Sequence, residues 1–341
     1  MESKRAFIHI GLAKTGTKSI QFALAQRRSK LSQAGWVFPL EGTSSNRGGH
    51  HGLAWHLQGA SHQHPALRRF DVCSFRCAIA AAAGQNIVIS SEELSLLRDE
   101  SAIRSLLSLF PTHEVYVVAY VREQAELLNS LYVETLELLD CLETVGGFVA
   151  RDLSVDGQNY QRIFRVWRNL LGRRLVVRPF DPDELRGGDV VKDFAALLEI
   201  EEALHPLPID HKNVRLNPLQ VASLLGFAQN LVTSGQTWSL FSERHRHLRT
   251  LIADILNDPD LAMAESYWGI GAVWVQRIRE HYRASNAAFF AEVTGAPFCF
   301  SAARRVKRRN AVAYRTLAAD LRTRLERKLL DGLQNAPGEL P

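Results

Sequence analysis

Short apolar runs of strand length alternate with helix-length stretches through roughly the first 200 residues of this 341-residue chain. Runs that are apolar throughout are typical of strands buried on both faces of a parallel sheet. Because strands that alternate with helices favour the same arrangement, the pattern predicts an α/β fold, with a parallel sheet of about five strands flanked by helices. The candidate strands are residues 6–10, 36–39, 86–91, 114–121 and 173–180.

The strand pattern stops after the segment HKNVRLNP (residues 211–218), and the periodicity of residues 217–333 is mostly helical. We therefore predict two regions. An α/β core covers residues 1–210, and a mostly helical region covers residues 211–341 and packs on the core. The hydrophobic content of 46% and the charged content of 23% are typical of a globular protein.

Several features bear on the compartment of the protein. No apolar run approaches the ~18 residues of a membrane-spanning helix, and no leader-like segment precedes the first strand. We therefore expect a cytoplasmic protein without a transmembrane segment. The four cysteines, at positions 73, 77, 141 and 299, are expected to be reduced thiols. The histidines between residues 50 and 64 lack the partners of a metal site, so that no metal is expected.

The stretch FIHIGLAKTGTKSIQ (residues 7–21) combines a strand, a glycine-bearing loop and the start of a helix. Such a combination forms an anion site, because the N–H groups of the loop and first helical turn converge and the helix dipole favours negative charge. The side chains add hydroxyl donors and positive charge, from Thr15, Thr17, Ser19, Lys14 and Lys18. A phosphate ligand is therefore expected. The alternative is an ordinary strand–helix turn with surface lysines.

The ATP-binding Walker A loop, G-x-x-x-x-G-K-[ST], fits this stretch poorly. Gly11 and Gly16 have the required separation, but Thr17 intervenes, so that the pair Lys18–Ser19 arrives one position late. One position turns both side chains by about 100° around a helix. The spacing therefore weakens the prediction of an ATP site.

The segment HIGLAKTGTKSIQ resembles instead the 5′-phosphosulfate loop of sulfotransferases that use 3′-phosphoadenylyl sulfate (PAPS). The residues that match the family motif are Lys14, Thr15, Gly16, Thr17 and Ser19. Lys18 stands where the family usually has a threonine. The resemblance implies that these residues bind the phosphosulfate end of the nucleotide, and that Lys18 either assists them or points to solvent.

A second segment, YVVAYVREQAELLNSLYVE (residues 116–134), resembles the 3′-phosphate motif of the same family, a strand that ends in arginine with a serine eight residues later. Arg122 leaves the strand end, where ligands of parallel sheets bind, and offers a planar fork to a phosphate. Ser130 lies about two turns along the next helix. The family's usual proline after the arginine is absent. The alternatives are a salt bridge from Arg122 to Glu123 or Glu126, and a surface role for Ser130.

The resemblance implies a P-loop-type α/β fold and a reaction in which a sulfuryl group moves from PAPS to an acceptor hydroxyl or amine, with the bisphosphate PAP as product and no metal. It implies that Lys14 is the cation at the leaving phosphate oxygen. Three residues after strands are candidates for the base: Glu92, His51 and His50. The sequence does not rank them, and Glu92 also suits the first turn of a helix.

The acceptor stays open among small molecules, carbohydrates and lipids, and the helical region is expected to shape its site. Lys212 or Arg215 is a candidate to close over the nucleotide. The basic run RRVKRR (residues 304–309) is interpreted as a solvated surface, without specific nucleic-acid binding. Two other functions remain alternatives: a small-molecule kinase on a modified P-loop, and a protein that binds the nucleotide without transfer. The oligomeric state is not predicted.

Overall fold

The computed structural model describes residues 4–43, 48–59, 70–140, 143–206, 215–233, 242–296, 298, 300 and 307–334. The chain divides into two compact units. The first unit comprises Met1–Glu123, Gln158–His211 and Tyr282–Ala302, and the second comprises Gln124–Gly157, Lys212–His281 and Ala303–Pro341. One boundary, at His211, lies next to the predicted division at residue 210, but each unit also contains a segment from the other predicted region.

The first unit contains a sheet of five strands, all parallel, which confirms the predicted α/β fold. The order across the sheet is β2-β3-β1-β4-β5. The strands are β1 (Lys4–His9), β2 (Trp36–Val37), β3 (Asn86–Ser90), β4 (His113–Val121) and β5 (Leu175–Pro179).

Helices surround the strands in sequence, as the alternating pattern predicts. In chain order the helices of the described residues are α1 (Thr17–Gln26), α2 (Arg28–Gln33), α3 (His51–Leu57), α4 (Val72–Ala81), α5 (Glu100–Leu107), α6 (Gln124–Glu137), α7 (Val145–Val155), α8 (Tyr160–Leu171), α9 (Val190–Leu198), α10 (Glu201–Leu204), α11 (Pro218–Thr233), α12 (Glu243–Leu256), α13 (Ala272–Thr294) and α14 (Ala319–Gln334). A short 3₁₀ helix, Glu92–Leu96, follows β3. None of these helices is both long and apolar enough to cross a membrane.

The register of the sheet brings three strand ends together at one edge. His9, the last residue of β1, lies opposite Ser90 of β3 and Val118 of β4. Strand β1 lies between β3 and β4, so that the connection from β3 to β4 passes across it and the strand order reverses there. Ligands of open parallel sheets bind in the crevice beyond such a switch point. A candidate ligand site is therefore expected among the residues that follow β1, β3 and β4.

Both faces of the sheet are covered by apolar side chains, which explains the uninterrupted apolar runs. Ile8 and Val117 belong to one core, with Phe164 and Trp167 of α8. Side chains that alternate with these along the strands, such as Phe7, Val88 and Tyr120, belong to the core on the opposite face. This second core also contains Ile20 and Leu24 of α1 and Phe194 of α9. The second unit has a core of its own, which includes Phe227, Ile255, Leu325 and Leu329.

Candidate functional site

The loop between β1 and α1 has an unusual backbone. Gly11, Lys14 and Gly16 all have left-handed φ angles, of 93°, 62° and 77°. The hydroxyls of Thr15 and Thr17 both donate to the carbonyl oxygen of Leu12, at 2.7 and 3.0 Å. These two buried hydroxyls therefore hold the loop in shape, a role that the sequence analysis did not foresee. The motif predicts instead that they donate to a ligand.

The loop leads directly into a helix start that is open to a ligand. Within the described residues no side-chain cap bond is made at Gly16, the residue before α1, and the N–H of Ser19 donates to the Gly16 carbonyl at 3.0 Å, so that the N–H groups of Thr17 and Lys18 are the first-turn donors for a ligand. Such groups, together with the helix dipole, attract an anion. The side chain of Ser19 is half-buried in this turn, Lys14 is half-buried just before it, and Lys18 is exposed. The predicted phosphosulfate residues thus surround one helix N-terminus.

Two glycines allow the close approach of neighbouring elements to this loop. A Cβ atom on Gly11 would lie 3.0 Å from the Cβ of Glu92 and 3.1 Å from its Cα. A Cβ atom on Gly16 would lie 2.7 Å from a methyl carbon of Val190. The loop is therefore packed between the end of β3 and the start of α9.

Replacing Gly16 by alanine is expected to destabilise the protein by roughly 2–5 kcal/mol, because backbone strain and overpacking add. Gly35 is a matched control, since its φ of 76° is almost the same but nothing lies within 4 Å of its added Cβ. The Gly35→Ala variant should lose only about 1–2 kcal/mol, the strain term. Urea denaturation of both variants measures the difference. Equal losses would mean that Val190 moves aside without cost.

Arg122 follows β4 and is buried, with 7% of its surface exposed. Its Nη1 donates to the carbonyl oxygen of Lys14 at 3.2 Å. The guanidinium lies over the ring of Phe180, 5.5 Å from the ring centre. Its backbone is fixed as well, because its N–H donates to the Tyr160 hydroxyl at 3.2 Å and its carbonyl accepts from that hydroxyl. The guanidinium thus lies beside the loop between β1 and α1, as the prediction of a ligand shared by both elements requires.

The other residues that were predicted to bind the nucleotide lie in the second unit or outside the described residues. Ser130 is half-buried on α6 in the second unit, and its contact with the ligand of Arg122 stays a prediction. Arg215 is exposed in the same unit, and Lys212 lies outside the described residues. Residues 304–306 of the basic run also lie outside them, whereas Lys307 approaches Glu126 to 3.6 Å. That lysine therefore belongs to a local ion pair.

Glu92 and His51 form a cluster at the end of β3. Glu92 begins the 3₁₀ helix, and its Oε2 lies 4.0 Å from Nδ1 of His51. The same ring nitrogen lies 2.9 Å from the hydroxyl oxygen of Ser91. Burial lowers the pKa of His51, an effect that the Glu92 carboxylate partly offsets and the charge of Lys18 reinforces. His51 is therefore neutral near pH 7 and able to accept a proton.

His50 is placed differently from His51. Its side chain is fully buried, and Nε2 donates to the Pro39 carbonyl at 3.1 Å. Its Nδ1 accepts from the backbone N–H of Ser90 at 3.3 Å. Burial lowers its pKa to about 4, although the backbone hydrogen bonds oppose the shift. Both ring nitrogens hold the loop onto β3, and this geometry favours Glu92 or His51 over His50 as a base.

Two residues lie within the motif segment but match none of its positions, and they were not predicted to belong to the site. Gln21 of α1 is 1% exposed, and its amide nitrogen donates to Oε2 of Glu92 at 2.8 Å. His9 ends β1, is fully buried, and has Nδ1 at 2.8 Å from the Ser90 hydroxyl oxygen. The only signal for Gln21 was its position one turn after Lys18 on the same helix.

Neither protein-family models nor curated proteins gave a match to this chain. In the described residues no group of three or more histidine, cysteine, aspartate or glutamate side chains could hold a metal ion. The thiols of Cys73 and Cys77 are free and exposed on α4, and the other two cysteines lie outside the described residues. The candidate site therefore consists of an uncapped helix start, a buried guanidinium and a carboxylate–imidazole pair, all in the first unit.

Proposed function

We propose that this protein is a PAPS-dependent sulfotransferase. The observation that carries the proposal is the hydrogen bond from the Arg122 guanidinium to the Lys14 carbonyl, because it places an arginine fork beside the phosphate loop. PAPS has anionic groups on both its 5′ and 3′ sides, and the loop and Arg122 are two anion-binding features that lie side by side. The first carries the resemblance to the phosphosulfate motif and the second the resemblance to the 3′-phosphate motif.

The residues of the site have distinct roles in this reaction. The first-turn N–H groups of α1 and Ser19 bind the phosphosulfate, with Lys18 nearby. The acceptor oxygen forms a bond to sulfur while the bond from sulfur to the phosphate oxygen breaks, and PAP leaves with that electron pair. The Lys14 ammonium stabilises the charge that develops on the leaving oxygen. Glu92 or His51 takes the proton of the acceptor.

The kinase alternative requires a carboxylate that holds Mg²⁺ beside the phosphates. The nearest candidate in the sequence, Asp181, is buried just after the edge strand β5, and one of its oxygens accepts from the N–H of Asp183 at 3.1 Å. The burial of Asp181 and its contact with Asp183 give the kinase less support than sulfotransfer has. A protein that binds the nucleotide without transfer would differ from both enzymes in its lack of turnover.

A thermal-shift experiment with PAP, ADP and ATP–Mg²⁺ tests the proposed ligand. Saturating PAP is expected to stabilise the protein, by about 2.7 kcal/mol at one hundred times its Kd. ADP lacks the 3′-phosphate and should stabilise it less. In the Arg122→Leu variant PAP and ADP should give the same thermal shift, whatever the substitution does to the stability of the unliganded protein.

The possible outcomes of this experiment distinguish the three candidate functions. Equal shifts with PAP and ADP would contradict recognition of a 3′-phosphate. The largest shift with ATP–Mg²⁺ would favour the kinase instead. A PAP-specific shift without PAP release from PAPS would indicate a nucleotide-binding protein that does not transfer.

A further inference from the structure

One buried hydrogen bond joins the phosphate-binding helix to the carboxylate at the end of β3. Gln21 lies on the second turn of α1, three residues after Lys18. Its side chain is almost completely buried, and its amide donates to Oε2 of Glu92 at 2.8 Å. A hydrogen bond to a charged carboxylate is stronger than one between neutral groups, and burial strengthens it further.

The Glu92 carboxylate is held in a way that leaves one oxygen available. Within the described part of the chain, its polar contacts are both made by Oε2, with Gln21 at 2.8 Å and His51 at 4.0 Å. Its backbone packs against Gly11, where an added Cβ would lie only 3.1 Å from the Glu92 Cα. The carboxylate is thus fixed by the loop, by α1 and by α3, and Oε1 makes no polar contact with the described residues.

We propose that Gln21 is a positioning residue that orients Glu92 as the acceptor base, an inference that rests on the proposed sulfotransferase function. Oε1 of Glu92 takes the proton from the acceptor hydroxyl while the acceptor oxygen bonds to sulfur and PAP leaves with the electron pair of the broken bond. His51 supports the carboxylate from the other side. Because α1 carries both the phosphate site and Gln21, one rigid helix sets the distance between the sulfuryl donor and the base.

The Gln21→Met variant tests this role, since methionine has a similar shape but no donor. The exposed Gln26 ends the same helix, and Gln26→Met is the matched control. The measurements are PAP affinity and the rate of PAP release from PAPS, with 4-nitrophenol, sorbitol and glucosamine as probe acceptors. Gln21→Met should lower kcat by about tenfold or more with little change in the Kd of PAP, and Gln26→Met should change neither.

A second measurement does not depend on turnover. In the Gln21→Met variant the freed carboxylate can close on Nδ1 of His51, so that the pKa of His51 should rise in an NMR titration. The Glu92→Gln variant should shift it in the opposite direction. An unchanged His51 titration and an unchanged kcat in Gln21→Met would overturn the positioning role. A wild-type protein that releases no PAP, but whose His51 responds to Gln21→Met, would instead overturn sulfotransfer and leave the link between Gln21 and Glu92 intact.

Discussion

Replacing Lys14 by alanine is expected to slow the release of PAP from PAPS by about 10²–10³-fold, the loss typical when one charge-stabilising group is removed from a transition state. The affinity for PAP should fall by less than about tenfold, because the N–H groups of α1, Ser19 and Arg122 still bind the anion. Single-turnover kinetics and calorimetric binding of PAP measure the two effects separately. Equal losses in both, or unchanged transfer, would contradict the role of Lys14.

The backbone of Lys14 supplies a control for this experiment. Its φ of 62° is left-handed, a conformation that disfavours any side chain relative to glycine by about 1 kcal/mol. Lys14→Ala retains this strain, whereas Lys14→Gly relieves it. Both variants lack the amine and should be equally slow, but the glycine variant should be the more stable by roughly 1 kcal/mol in urea denaturation. A lysine at such a strained position is consistent with a role for its side chain in function.

The sheet and the position of Arg122 could be predicted from the sequence because both follow from rules of chain geometry. Uninterrupted apolar runs between helices indicate parallel strands, and the carboxyl ends of parallel strands meet at one edge. That edge brings the Arg122 guanidinium to the Lys14 carbonyl. The resemblance of these two segments to motifs for one nucleotide implies a shared ligand, and in the structure the two strand ends lie together.

The hydrogen-bond partners in the site could not be predicted in the same way. Thr15 and Thr17 donate to Leu12 because the left-handed turns of the loop bring that carbonyl under both hydroxyls. The contact of Gln21 with Glu92 depends on the packing of α1 against the end of β3. His50 and His51 are adjacent in the sequence, yet one is enclosed and the other is partly exposed. These differences arise from tertiary packing, which has no local sequence signal.

The protein is expected to lose stability steeply as the pH falls below about 6.5, because two enclosed histidines must stay neutral in the folded state. Burial lowers the pKa of His50 to about 4 and that of His9 to about 3. A proton on Nε2 of His9 would lack an acceptor among the described residues. Below the unfolded value of about 6.5 the unfolded state therefore binds more protons, so that stability rises with pH there. The loss begins as the pH falls through about 6.5, and it is complete near pH 4 for His50 and near pH 3 for His9.

Each histidine should contribute a slope of about 1.4 kcal/mol per pH unit, and His50 alone roughly 3 kcal/mol over its full window. Urea denaturation between pH 5 and 7.5 covers the part of this window in which few carboxylates titrate. His50→Gln should reduce the slope by the contribution of one histidine. The control is His56→Gln, at an exposed position of α3, which should leave the slope unchanged. Parallel curves for the wild-type protein and His50→Gln would mean that the folded protein protonates His50 without opening. In that case the ring would be accessible enough to rejoin Glu92 and His51 as a candidate base.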